Sequence, residues 1–424
     1  MWVNNKETKG MKNIDKVVFL IFLMSPLAAF PFIVWEISRE RRGATYLMAL
    51  FMAVFAFLFP PIGDLSHHNM IYFQWDSYSV DDFLMWLSRL GKMDKLIWFL
   101  SFIFRKIGIN FAFIRFLCLL VEFSVFSWIY ERFVLNAEME HKDKMLIYSL
   151  MCISFMPLYQ IMGLRHGLGI ALYMVGIIFL YIDKRILMSI LFFLLAAYSH
   201  THFFPMAVLA MVCNYITLFK SKKTFICCFL IAIVFGLVLT PILLKFSMGD
   251  SELVSVYTAN GYYGQSFEFE GKAGKAMLIA RFWYIPLVIY FLREEGKDLL
   301  EQDERIVKFR GFVYAVVLIV AVTWGYLTFS ERTGKVLGGL LCLYLCLKSS
   351  PIKGILKCIP LLLFITAFYQ IYGLRLAMFY LDNNLGDIWK PLPLIFQDEY
   401  SKAWLIKNIN PNGSFKLQGT HWSL

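Results

Sequence analysis

The chain has 424 residues, of which 59% are hydrophobic and 18% aromatic, while only 17% are charged. A soluble domain carries about 25% charged residues, and the apolar residues here gather in blocks of about 20, the length that spans a bilayer core as a helix. The composition excludes a soluble globular domain, and the net charge of +11 fits Lys and Arg accumulating in the cytoplasmic loops of a membrane protein, not a nucleic-acid binder.

In chain order, the block 17–35 follows a Lys-bearing tail but runs too long for the apolar region of a secretory signal, so it is predicted to be a retained helix. Further spans are predicted at 44–63, 110–130, 145–164, 166–182, 186–200, 203–219, 224–244, 276–292, 311–329, 336–349 and 358–380. The expected architecture is all-α and polytopic, about twelve helices within a range of ten to fourteen, in one membrane domain over 1–424. Residues 64–109 contain apolar residues at helical spacing with charges between them, the pattern of amphipathic helices lying on a membrane surface. Residues 245–275 form a second polar loop, rich in Tyr, Phe and Glu, and 381–424 a polar tail. The eight cysteines all fall in apolar blocks at spacings that suggest neither a disulfide framework nor a zinc site.

With "SRERR" (38–42) placed in the cytoplasm, the six loops on that side hold nineteen Lys and Arg, against Arg165, Arg332 and Lys335 in the short loops opposite. This asymmetry predicts that both termini and the three longer polar segments lie outside the cytoplasm. Lys6, Lys9, Lys12 and Lys16 in the N-terminal tail pull the other way.

On that topology Arg115, Arg165, Arg281, Arg332 and Arg375 all stand at the outer level of the membrane. A charge inside a membrane helix costs at least about 2.5–3.5 kcal/mol, so such residues are paired, snorkelling or functional. "YQIMGLR" (159–165) and "YQIYGLR" (369–375) repeat one wrapping around an arginine. Gly163 and Gly373 would admit a neighbouring backbone, while Tyr159, Gln160, Tyr369 and Gln370 could supply hydrogen bonds to hold the guanidinium. Guanidiniums gathered at one level make a receptor for a resident anion, and Arg binds phosphate oxygens bidentately without being neutralised. A lipid-linked diphosphate is an anion of that sort. Asp64, His200 and His202 are the polar groups on that side suited to general-base or hydrogen-bonding work. His200 and His202 lack a second ligand cluster, so no metal is expected. Glu122, in the middle of a span, has no evident partner beyond Arg115.

The stretch "GLRHGLGIALYMVGIIFLYIDKRILMSILFFLLAAYSHTHFFPMAVLAM" resembles the central signature of EpsG-like, Wzy-type polysaccharide polymerases. Arg165 matches the family's arginine and His200 its histidine, whereas His202 stands where the family tends to have Ser. "GDLSHHNMIYFQW" is similar to the family's acidic residue and Tyr after the second span, with Asp64 and Tyr72 in the matching positions. The resemblance implies polymerisation of repeat units carried on undecaprenyl diphosphate, at the outer face of the bacterial inner membrane. Arg165, Arg375, Arg281 and Arg332 would then hold the diphosphate leaving group, and Asp64 or His200 would orient or deprotonate the acceptor hydroxyl. Partners would be membrane lipids, a flippase and a chain-length regulator, with no nucleic acid. An O-antigen ligase shares this chemistry. A flippase or transporter would instead need charges along a central path, and an acyltransferase a deep His reachable from the cytoplasm.

Overall fold

The structure, a computed structural model, describes residues 13–90, 94–155, 163–216, 218, 222–239, 284–294, 304–323, 327–348, 383–397, 399–410 and 416. Among them there are helices and no strand. In chain order these are α1 (Lys16–Met24), α2 (Pro26–Ser38), α3 (Ala44–Leu58), α4 (Asp64–Gln74), α5 (Val80–Arg89) and α6 (Leu96–Lys106). Then come α7 (Phe111–Tyr130), α8 (His141–Phe155), α9 (Leu164–Ile177), α10 (Ile186–Ser199), α11 (Phe203–Tyr215) and α12 (Lys222–Val234). The last five are α13 (Ile285–Glu294), α14 (Glu304–Val322), α15 (Leu327–Lys348), α16 (Leu392–Ile395) and α17 (Lys402–Asn408).

Among the described residues two helices are long and apolar enough to cross a membrane: α7 continued by a π-helical turn to Leu135, and α9 continued likewise to Ile182. Five shorter apolar helices accompany them (26–38, 44–58, 186–199, 203–215 and 223–234). The expected count of twelve spans is therefore not reached among the described residues, and the span expected at 358–380 lies outside them. Local chemistry explains several of the short helices. α3 stops at Leu58 ahead of Pro60 and Pro61, since the residue before a proline is driven out of helical geometry.

The block 17–35 is not one span. Ser25 ends α1 in an extended conformation, and its hydroxyl caps α2 by accepting from the Ala28 N–H at 3.3 Å, with Pro26 at the first helical position. The chain then doubles back. Ile14 N–H donates to the Arg42 carbonyl (3.0 Å) and Asp15 N–H to Glu36 (3.0 Å). Residues 13–16 thus sit beside 36–42, at the same end of the bundle as the "SRERR" run. This differs from the expectation that the chain starts opposite that run; residues 1–12, with Lys6, Lys9 and Lys12, lie outside the described residues.

That basic end is tied together by two ion pairs, Lys144 to Glu40 at 2.8 Å and Arg132 to Asp183 at 2.5 Å, and by a hydrogen bond from the Gly43 N–H to Glu131 at 2.7 Å. Between the ends, α3 packs along α7, and α9 along α7 and α10. The small residues of α9 make close packing against α10 and α11 possible. A Cβ on Gly169 would stand 2.3 Å from the Phe203 ring, and one on Gly176 2.6 Å from Phe193. Tyr173 and Tyr181 of the α9 segment donate to the Met206 and Ala210 carbonyls of α11 (2.9 and 2.7 Å). The α10–α11 turn is thereby held over the start of α9.

A second correction concerns 330–335, expected as an outer loop. These residues lie on α15, which begins at Leu327. Ser330 and Thr333 are buried, and Gly334 receives the ring of Tyr284.

Candidate active site

The arginines expected at one level divide into two kinds. Arg115, fully buried on α7, donates to the carbonyls of Phe57 (3.0 Å) and Phe59, while the Tyr400 hydroxyl takes the Leu58 carbonyl between them (2.7 Å). The last carbonyls of a helix have no intrahelical donor. Arg115 and the returning tail supply donors for α3, so Arg115 is structural. It does not pair with Glu122, for which Lys335 is the cation within electrostatic reach.

Arg165, in the first turn of α9, belongs to the second kind. Its Nη1 donates to Asp94 Oδ2 at 2.6 Å, and its side chain remains 26% exposed. Its backbone carbonyl accepts from the Ser199 hydroxyl at 2.7 Å, which fastens the end of α10 to the start of α9. Asp94, just before α6, is buried, and its other oxygen accepts from Thr201 at 3.4 Å.

Around this pair stand four histidines. The rings of His166, His200 and His202 lie 5.3, 5.9 and 6.3 Å apart, centroid to centroid. His68 of α4 packs against Trp98 with the rings tilted at 43° and centroids 4.5 Å apart, within electrostatic reach of Arg165. Burial, then the guanidiniums of Arg332 and Arg165, push His200 down to about 2. Burial and Arg332 push His202 down to about 4, and burial followed by Arg165 takes His68 well below its usual value. The imidazoles are neutral at physiological pH, and Arg332 on α15 shares their neighbourhood. The His202 backbone N–H donates to His200 Nδ1 at 3.2 Å. In a neutral ring whose Nδ1 accepts, Nε2 carries the hydrogen, so His200 is poised to donate. Nε2 of His166 is buried without a hydrogen-bond partner among the described residues. Among those residues no group of three or more His, Cys, Asp or Glu is arranged to hold a metal ion.

Of the residues expected at the site, Arg165, Arg332, His200 and His202 come together. Tyr72 does not join them: its hydroxyl donates to the Ile109 carbonyl, and its ring lies under Arg105 (5.1 Å), which pairs with Asp76. Asp64 is exposed at the start of α4, and no described contact joins it to Arg165 or the histidines. Arg281, Arg375, Tyr159, Gln160, Tyr369 and Gln370 lie outside the described residues. Three members of the cluster, His68, His166 and Asp94, were not among the expected site residues. His166 directly follows Arg165 and carried a signal through that adjacency, whereas Asp94 sits between lysines in "KMDK" and carried none.

The profile of the EpsG family matches residues 44–383, most of the chain and nearly all of the helices around the Arg165 cluster. No curated protein and no solved structure matches the chain. The match spans both the central arginine–histidine stretch and the helices that carry Arg115 and Arg332, so the chain belongs to the EpsG family, membrane proteins of polysaccharide biosynthesis.

Proposed function

We propose that the protein is a glycosyltransferase that polymerises oligosaccharide repeat units carried on undecaprenyl diphosphate. Its site would face the periplasm or cell exterior of the bacterial inner membrane. One observation carries the reading. Arg165 and Arg332, from distant parts of the chain, converge on His200 at the end of the bundle away from the basic loops. Arg165 spends one nitrogen on Asp94, and among the described residues nothing takes its Nε and Nη2 donors. Those donors are free for phosphate oxygens.

In this reading the donor glycan's C1–O bond to diphosphate breaks as an acceptor hydroxyl attacks C1. Negative charge grows on the departing diphosphate, and guanidiniums fixed in a poorly hydrated site stabilise that charge more in the transition state than in the ground state. The neutral His200 adds an N–H donor. Arg281 and Arg375 are proposed to complete the anion site, and Tyr159, Gln160, Tyr369 and Gln370 to hold the two guanidiniums of the repeated motif. A flippase and a chain-length regulator are the proposed partners.

Arg165→Ala is expected to abolish long-chain polymer in cells while the protein still inserts at wild-type level. Arg165→Lys is expected to lose most activity as well, because a point charge does not reproduce the fork. A normal ladder of chain lengths from Arg165→Ala would refute the assignment.

A further inference from the structure

A polymerase of this kind needs a group to take the acceptor's proton, and neither group the sequence offers is suited. Asp64 is exposed, and no described contact joins it to Arg165 or to His200. His200 presents its N–H, since Nδ1 is occupied by the backbone of His202, and an imidazole pushed down to about 2 is a weak base. The chain supplies a third candidate from another part of the fold. Asp94 arrives from the segment between α5 and α6, is buried, and stands directly on Arg165.

We propose that Asp94 is the general base of the transfer, its Oδ2 anchored by Arg165 and its Oδ1 receiving the proton of the acceptor hydroxyl. The assignment rests on the polymerase reading above. The two oxygens are already differentiated. Oδ2 accepts a charge-assisted bond at 2.6 Å, short and directional. Oδ1 has only the Thr201 hydroxyl at 3.4 Å, a long contact that an acceptor hydroxyl can replace. A carboxylate left beside an anion-binding guanidinium would repel the substrate if it did nothing else. Arg165 resolves that conflict by bridging, with Nη1 on the carboxylate and its remaining donors on the diphosphate. Leaving group and base are then held by one planar side chain, on opposite edges.

The step balances. The acceptor O–H bond breaks and its proton passes to Asp94 Oδ1 as the acceptor oxygen forms its bond to C1. The C1–O bond to the diphosphate breaks, and its electron pair stays on the diphosphate oxygen held by Arg165. The proton then leaves Asp94 for the released lipid diphosphate. A carboxylate suffices as base because the transition state at a glycosidic carbon is oxocarbenium-like, and the attacking hydroxyl becomes acidic as its bond to C1 forms.

The test uses the full chain, purified into lipid nanodiscs. Binding of undecaprenyl diphosphate is measured separately from turnover of the lipid-linked repeat units extracted from a strain lacking the gene. Asp94→Asn is expected to bind undecaprenyl diphosphate within about threefold of wild type, and to lose roughly 10²–10⁴-fold in turnover, the usual contribution of general-base catalysis. Asp94→Glu, which keeps the carboxylate, should recover part of the rate. Arg165→Ala should lose binding itself. Asp94→Asn that turns over at more than a third of the wild-type rate overturns the proposal. So does a parallel loss of binding and turnover in Asp94→Asn, which would make Asp94 only a prop for Arg165. A wild-type chain that binds no undecaprenyl diphosphate and extends no glycan would bring down the polymerase reading and this assignment with it. Intact wild-type activity with either failure at Asp94 brings down the assignment alone.

Discussion

Replacing Arg115 should unfold the protein, whereas replacing Arg165 should silence it. In Arg115→Ala the carbonyls of Phe57 and Phe59 lose their donors in a fully buried site. Hydrogen bonds from a charged donor contribute about 1.5–3 kcal/mol each, so the pair amounts to about 3–6 kcal/mol. That is a large share of a domain's total stability of about 5–15 kcal/mol. Arg115→Lys can reach one carbonyl and should recover about half. The assay is the thermal midpoint of detergent-purified protein, with expression level in membranes as a second readout. Arg115→Ala should fall furthest, Arg115→Lys should lie between, and Arg165→Ala should fall least, because the Arg165 side chain is itself 26% exposed whereas Arg115 is fully buried. If Arg115→Ala melts with wild-type protein and loses only polymer, the division of the arginines into structural and functional kinds is wrong.

Gly169→Ala places a Cβ 2.3 Å from the Phe203 ring, an overpacking worth about 1–3 kcal/mol. Because Phe203 adjoins His202, polymer yield should fall more steeply than the melting point, which paired measurements would show. His200 has its folded value depressed to about 2 from an ordinary 6.5, so its contribution to stability is present above pH 6.5 and lost as the pH falls from there toward 2. The slope is at most about 1.4 kcal/mol per pH unit, and His200→Gln should flatten the stability curve between pH 6 and 4 by part of that amount. Asn13→Cys and Arg42→Cys should react with an impermeant maleimide from the same side of the membrane, and Ser77→Cys from the other. Labelling of Asn13→Cys and Arg42→Cys from opposite sides would contradict the α1–α2 hairpin.

The parts of this fold that were legible in sequence are those set by local chemistry. Apolar block length located α7 and α9, whereas the close packing at Gly169 and Gly176 became visible only with the neighbouring Phe203 and Phe193 in place. Ser25–Pro26 was a visible helix break, yet the apolar run on both sides concealed it. Only the pairing of Ile14 with Arg42, a contact across the hairpin, reveals the reversal. The same distinction governs the site. Arg165 and His200 could be found because each sits in a recognisable setting, at a helix start and at a helix end. Asp94 could not, since one acid in an amphipathic segment looks like any solvated charge. Its meaning comes from the tertiary contact with Arg165. Arg115 misled for the converse reason: its charge within an apolar helix is plain in the sequence, but whether a guanidinium faces backbone carbonyls or a cavity is decided by the neighbouring helix.

The two ways of keeping an arginine in this bundle have opposite consequences for chemistry. Arg115 is stabilised by backbone carbonyls that cannot move without unwinding α3, and its guanidinium is shut off from any ligand. Arg165 is stabilised by a carboxylate on a separate segment, which satisfies its charge while using one nitrogen and leaving the rest of the fork open. A free guanidinium at this depth would be expensive, and a fully satisfied one would be inert. An ion pair with a single contact lies between, since it holds the charge in place yet preserves the donors that a diphosphate requires. The helices of the 64–109 segment therefore do more than the surface role expected of them: by delivering Asp94 and His68 to Arg165, they complete a site that, on the proposed reading, the bundle alone would leave with positive charge and no base.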